Sequence, residues 1–242
     1  MNIWGITDTG AVRQQNQDFY YIEQVEPDVG LGLVCDGMGG ARAGNVASRL
    51  AVETFRDTAH AQSADQWRSE PEALLHFAAE QANQAVYYRA GIDSDCMGMG
   101  TTMVAALVIG GMGYLLNIGD SRAYLVREDG ISRITRDHSV VEDLVARGDI
   151  TPEQARQHPQ KNLITRALGS EKKLRADLFR QPLGPGDCLL LCSDGLINVV
   201  TDQEILYEVI HGGELESCCQ RLLDIALSRG APDNVTVVLL QM

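Results

Sequence analysis

Residues 96–119 read CMGMGTTMVAALVIGGMGYLLNIG, an apolar run without one charged side chain. Its length suits a membrane span. Its middle does not: Gly110-Gly111 sits between two strand-like halves, the mark of a tight hairpin. The stretch therefore predicts two buried antiparallel strands, 101–109 and 112–118. Working outward, short strands are expected at 3–7, 18–23 and 30–35, and at 121–126, 131–135, 174–181, 187–193 and 234–240. Helical periodicity marks 42–59, 202–210 and 213–229. A further helix over 71–90 is opened by Ser69, with Pro71 and Glu72 in its first turn. Residues 138–168 read as irregular helix, punctuated by Gly148, Pro152 and Pro159. Strands fall in meanders and helices in groups, which makes the class α+β.

Several of these strands end in carboxylates. Leu31 to Cys35 run into Asp36-Gly37, Leu115 to Ile118 into Gly119-Asp120, and Leu189 to Ser193 into Asp194-Gly195. Asp233-Asn234 stands just ahead of the run 235–240. A carboxylate at the end of a buried strand is costly to desolvate unless something positive meets it. Brought together by a sheet, such ends make a cluster of hard oxygen ligands suited to Mg²⁺ or Mn²⁺.

Composition narrows the partners. In 242 residues, 20 Lys and Arg against 33 Asp and Glu give a net charge of −13. With no basic block, nucleic-acid binding is disfavoured. A phosphorylated substrate would also be repelled unless bound cations reverse the local field. The six cysteines show no zinc-type spacing and the adjacent Cys218-Cys219 cannot bridge each other, so reduced thiols in a cytoplasmic protein are expected. The first residues carry neither a basic start nor an apolar h-region, so no secretion signal is read there.

The motifs, taken in order, resemble one family. Arg13-Gln14-Gln15-Asn16-Gln17-Asp18 and Val34-Cys35-Asp36-Gly37-Met38-Gly39-Gly40 are similar to the opening elements of the metal-dependent protein phosphatases of the 2C type. Met99-Gly100-Thr101-Thr102, Gly119-Asp120-Ser121-Arg122 and Asp137-His138-Ser139 follow. Asn162 to Gly169, Cys192-Ser193-Asp194-Gly195 and Pro232-Asp233-Asn234-Val235-Thr236 complete the set. The resemblance runs from about Gly5 to Leu240 and implies one catalytic domain over residues 1–242. The implied fold is a four-layer α-β-β-α sandwich of two antiparallel sheets flanked by helices.

By the same resemblance, Asp36 bridges two core Mn²⁺ or Mg²⁺ ions, and Gly37 adds a backbone carbonyl. Asp194 and Asp233 supply the other carboxylates of one ion. Asp18 orients metal-bound water, Asp120 with Asp194 holds a third ion, and Arg13 clamps the substrate phosphate. The implied reaction is hydrolysis of phosphoserine and phosphothreonine on proteins by a metal-activated water. A paired-metal site can generate that nucleophile near neutral pH, and a guanidinium fork suits two phosphate oxygens. The partners implied are phosphorylated proteins and a cognate bacterial Ser/Thr kinase, met by a monomer in the cytoplasm, with no membrane and no nucleic acid. A likeness to the small phosphatases paired with kinases controlling type VI secretion points the same way.

Two positions depart from the family pattern. Met38 stands where many eukaryotic members have His, so the leaving group loses its proposed acid; His138 replaces it only by elimination, and a structural imidazole is the plainer reading. Gln17 stands where many relatives carry Glu. Asp95, Asp137 and Asp143 read as solvated or capping, and a structural Asp120 would pair with Arg122. The rival function is a non-catalytic phosphoprotein-binding pseudophosphatase, which would be expected to have lost some of these aspartates. A dedicated phosphatase for an anti-sigma antagonist is the rival within the enzyme class. Residues 138–168 are expected to form a flap beside the site.

Overall fold

The computed structural model describes residues 1–38 and 43–242. The strands in chain order are β1 (Asn2–Asp8), β2 (Asp18–Glu26), β3 (Val29–Met38), β4 (Gly100–Thr101), β5 (Met103–Ile109) and β6 (Met112–Ile118). They continue as β7 (Arg122–Arg127), β8 (Gly130–Arg133), β9 (Asp177–Pro182), β10 (Cys188–Cys192) and β11 (Val235–Gln241). The helices are α1 (Gly44–His60), α2 (Ala64–Ser69), α3 (Pro71–Ile92), α4 (Val140–Arg147), α5 (Pro152–Arg156), α6 (Asp194–Ile197), α7 (Asp202–His211) and α8 (Leu215–Ser228).

The strands form two antiparallel sheets. One runs β1-β11-β10-β7-β8; the other runs β2-β3-β5-β6-β9, with β4 pairing β3. The uncharged stretch is the hairpin its glycines predict: β5 and β6 pair in full register, and Gly110 and Gly111 take φ of 54° and 83°. Positive φ at both turn residues is what a hairpin turn following the strand twist needs.

Alternation along each strand separates the layers. On β3, Leu31, Leu33 and Cys35 pack with Ala47, Ala51 and Phe55 of α1 and Leu75 and Ala78 of α3. Val34 points the other way, into a core shared with Leu189 and Leu191 of β10 and Val238 and Leu240 of β11. The outer faces of β10 and β11 carry Leu190, Val237 and Leu239 against Leu222, Leu223 and Ala226 of α8. Helices, sheet, sheet and helices thus stack around three apolar layers, the expected four-layer sandwich. The inter-sheet gap is narrow at Gly32, where a Cβ would come within 3.1 Å of both Leu240 and Val238 side chains.

Several boundaries differ from expectation. Ser69 closes α2 instead of opening α3, whose N-cap is Glu70. That extra helix is started by a capping box between Ser63 and Gln66. The strand expected at 101–109 breaks at Thr102, whose N–H donates to the Asp36 carbonyl at 2.9 Å. The strand expected at 174–181 begins at Asp177, and the expected helix start at residue 42 lies outside the described residues, as do Gly39 and Gly40. Residues 138–168 resolve into α4 and α5, capped by Ser139 and Thr151.

Leu115 is fully buried between the sheets. Leu115→Ala should lower unfolding free energy by about 2–5 kcal/mol, as large-to-small core changes do. Urea denaturation measures it; a loss under about 1 kcal/mol would show that the inter-sheet layer is not close-packed.

Candidate active site

The two-sheet core brings the carboxylates to one end. Asp36 lies near the end of β3, and Asp18, the first residue of β2, is its direct cross-strand partner. Asp120 follows β6 in a turn, Asp194 opens α6 beyond β10, and Asp233 precedes β11. Asp36, Asp120, Asp194 and Asp233 line one open cleft of about 1040 Å³, together with Arg13, Gln17 and Gly37. Asp18 is buried behind them. Every sequence-predicted site residue is therefore at or against this cleft.

The glycine after two of the aspartates has a packing cause. A Cβ on Gly37 would sit 2.0 Å from the Gly44 carbonyl oxygen, and one on Gly195 would sit 1.9 Å from that of Asn234. Both glycines let another backbone cross the carboxylate's own, so any side chain there would push the site apart.

Like charges opposed across a strand pair destabilise it, and the electrostatics register that strain. Burial pushes the Asp18 carboxyl up to about 7, with the charges of Asp194 and Asp233 adding to the rise. Burial likewise raises Asp120 to about 7, helped by Asp194 and Asp137. Asp36 is raised well above the ordinary carboxylate range, first by burial and then by Asp18, Asp194, Asp120 and Asp233. Asp194 is raised by burial and by Asp233.

Asp18 is held by a directed chain of hydroxyls. Ser193 Oγ and Thr236 Oγ1 both donate to Asp18 Oδ2, at 2.7 and 2.6 Å. A hydroxyl has one proton, so Thr7 Oγ1, 2.7 Å from Thr236 Oγ1, must donate to it. Thr7 in turn accepts from Asn16 Nδ2 at 2.9 Å. Thr102 Oγ1 accepts the Asp36 N–H at 3.0 Å and shares a proton with Ser121 Oγ at 2.7 Å.

Asn234 is a site residue to which sequence reading gave no role. Its Nδ2 donates to the carbonyls of Thr9 and Gln15 at 2.8 and 3.0 Å, and its Oδ1 accepts the Gln17 N–H at 2.8 Å. It thereby ties the loop carrying Arg13 to the start of β11. Its place directly after Asp233, in the motif, was the available signal.

Other named residues fall outside the cleft or act differently. Asp137 is neither solvated nor a cap: it is buried and takes the Arg122 guanidinium in a fork, at 2.9 Å from Nε and 2.6 Å from Nη2. Arg122 therefore pairs with Asp137, not with Asp120. His138 is buried away from the cleft. Its Nδ1 accepts the Gly119 N–H at 3.1 Å, which leaves the proton on Nε2, 3.1 Å from Asp177 Oδ2. Burial lowers its pKa; it is a structural imidazole bracing the Asp120 turn. Asp95 is exposed, and Asp143 is half-buried beside Arg136 at 3.4 Å.

The donor set fits divalent cations. It consists of oxygen ligands alone, and Asp18 Oδ1 and Asp194 Oδ1 are buried without a hydrogen-bond partner. Such orphaned carboxylate oxygens are expensive unless an ion meets them. Among the described residues no three His, Cys, Asp or Glu side chains close into a cage on their own. Backbone carbonyls and waters would have to complete each shell, which suits Mg²⁺ and Mn²⁺. Arg13 Nη2 meets Asp233 Oδ2 at 2.7 Å, while half of the Arg13 side chain stays open.

Comparison with known proteins gives one answer throughout. The family described as protein phosphatase 2C matches residues 11–229. The serine/threonine phosphatase stp of Listeria innocua is 37% identical, over 97% of this chain and 93% of its own. The catalytic domain of the serine/threonine protein phosphatase PstP, solved in complex with two manganese ions, superposes with a TM-score of 0.86 at 36% identity, covering 98% of this chain and 96% of that one. PppA, described as a key regulatory component of T6SS in Pseudomonas aeruginosa, gives 0.84 at 32% identity, covering 100% and 97%.

A folded-state pKa raised from 3.8 to about 7 means stability that is whole below pH 4 and lost as pH rises through about 7. In chelator, the Tm of the wild type should therefore fall between pH 5 and 8 by more than that of Asp18→Asn, whose amide cannot ionise. Differential scanning calorimetry at both pH values measures this; parallel curves for the two proteins would show that Asp18 carries no such strain.

Proposed function

The chain belongs to the protein phosphatase 2C family, and we propose that it is a Mn²⁺- or Mg²⁺-dependent serine/threonine protein phosphatase acting on phosphorylated proteins. One observation carries this reading: four aspartates line a single cleft with a fifth buried behind them, and Arg13 stands at its edge. In this reading Asp36, the Gly37 carbonyl, Asp194 and Asp233 hold two ions, and Asp120 with Asp194 holds a third. Bound there, the ions would supply an acidified water and neutralise phosphate charge.

The chain's own groups do the rest. Asp18, fixed through Oδ2 by Ser193 and Thr236, keeps Oδ1 free to orient a water or hold a proton. Arg13 spends one N–H on Asp233 and offers its remaining donors to the substrate phosphate. Asn234 fixes the loop from which Arg13 reaches. Neither Met38 nor the buried His138 is placed to deliver a proton to the leaving alkoxide, and a water in the cleft could serve instead. A non-catalytic phosphoprotein binder would have no use for a cluster of aspartates of which four are kept at such electrostatic cost.

The same proposal includes one catalytic domain over residues 1–242, working as a monomer in the cytoplasm against a cognate Ser/Thr kinase. All six cysteines are free and buried, which suits a reducing compartment. No helix among the described residues is long and apolar enough to cross a membrane. The likeness to PppA, a regulatory component of T6SS, supports a place in the control of type VI secretion.

Phosphate release from a phosphothreonine peptide should require Mn²⁺ or Mg²⁺, stop in EDTA and be nearly abolished in Asp194→Asn. Arg13→Ala should lower kcat/KM by up to about 100-fold through lost positioning. Metal-independent turnover, or an unchanged kcat/KM in Arg13→Ala, would contradict these roles.

A further inference from the structure

The cleft carries apolar side chains that phosphate chemistry does not require. Val12 is 67% exposed, Leu163 50% and Met38 39%, and all three line the cleft that holds the carboxylates. Isolated apolar side chains on a surface need no explanation. Here three of them, from three separate chain segments, surround one opening.

Each is held on a braced backbone. Leu163 donates its N–H to the Gln160 carbonyl at 3.1 Å, and its own carbonyl accepts the Val140 N–H at 2.9 Å. Val12 stands between Ala11, whose N–H reaches the Ala231 carbonyl at 3.0 Å, and Arg13, tied to Asp233. Met38 ends β3, paired with Gly100 of β4. Contacts presented on fixed backbone lose little entropy when a partner arrives, and a thioether adapts to varied apolar shapes.

Charge points to the same occupant. Arg13 is the one cation lining the cleft among the described residues; it is engaged with Asp233 and, in the phosphatase reading, reserved for the substrate phosphate. The remaining polar lining includes the neutral amides of Gln14, Gln15 and Asn162. Among the described lining residues no second cation is left to attract acidic residues beside a phosphorylated side chain, on a protein of net charge −13.

We propose that Val12, Met38 and Leu163 form a rim that binds an apolar residue flanking the phosphorylated serine or threonine. The preferred substrates are then phosphoproteins whose phosphosite is bordered by Leu, Ile, Val or Met, not by Asp or Glu. This specificity rests on the phosphatase reading of the same cleft and adds to it the class of site that is recognised.

The test uses three phosphothreonine peptides, identical except that the residues on both sides of the phosphothreonine are Leu, Ser or Asp. With Mn²⁺, the wild type should show kcat/KM about tenfold higher for the Leu peptide than for the Ser peptide, the scale of one small apolar contact. The Asp peptide should be poorest. In Val12→Ser/Leu163→Ser the Leu advantage should vanish while the Ser peptide is turned over as before. Equal kcat/KM for all three peptides, a preference for Asp, or an equal loss on both Leu and Ser peptides in the variant would overturn the rim. Failure of the wild type to turn over any peptide would overturn the phosphatase reading itself, and the rim with it.

Discussion

The structure depends on a repulsion. Asp18 and Asp36 face each other across a strand pair, and Asp120, Asp194 and Asp233 are brought up against them. Burial and mutual charge raise four of the five. Left to themselves such groups would part or stay protonated. They are kept together because the strands that carry them are clamped by three apolar layers whose burial far outweighs the local cost. The stable part of the fold and its costly part are the same strands, one at their middles and the other at their ends.

Around that cluster, neutral groups set the geometry. Hydroxyls of Thr236 on β11 and of Ser193 before α6 converge on Asp18, with that of Thr7 on β1 behind Thr236, and those of Thr101 and Thr102 bind the Asp36 backbone. Leu168, at the exit of the flap segment, exchanges backbone hydrogen bonds with Thr101 at 3.1 and 2.8 Å. The segment beside the cleft is thus joined, through Thr101, to the strand that carries Asp36. At its other end the His138 N–H donates to the Gly119 carbonyl at 2.9 Å, in the turn that carries Asp120. Whatever motion α4 and α5 have, the two ends of the segment are fixed to the site.

Most of this was legible in the chain because its signals are local. The Gly110-Gly111 turn, the apolar strands and the aspartates at their ends are each read from a few neighbouring residues. What escaped depends on partners far away in sequence. Asp137 reads as a loop carboxylate, but Arg122, across a hairpin, makes it a buried ion pair. Asn234 has no role legible in its neighbours, yet its three bonds go to residues more than two hundred positions earlier. The short helix at Asp194 was hidden by the strand that runs into it. Ser69 has the residue type of a cap for α3, but the box at Ser63 and Gln66 starts a helix that Ser69 closes.

The central claim is that the carboxylates are held in opposition in order to bind divalent ions. Calorimetric titration of Mn²⁺ into the chelator-stripped protein near pH 7, repeated in buffers of different ionisation enthalpy, tests it most directly. Saturable binding of at least two ions with release of protons, and weakened binding in Asp36→Asn, is the predicted result, because carboxyls with raised pKa values must give up protons to become ligands. Absence of saturable binding, or equal binding by Asp36→Asn, would contradict the account.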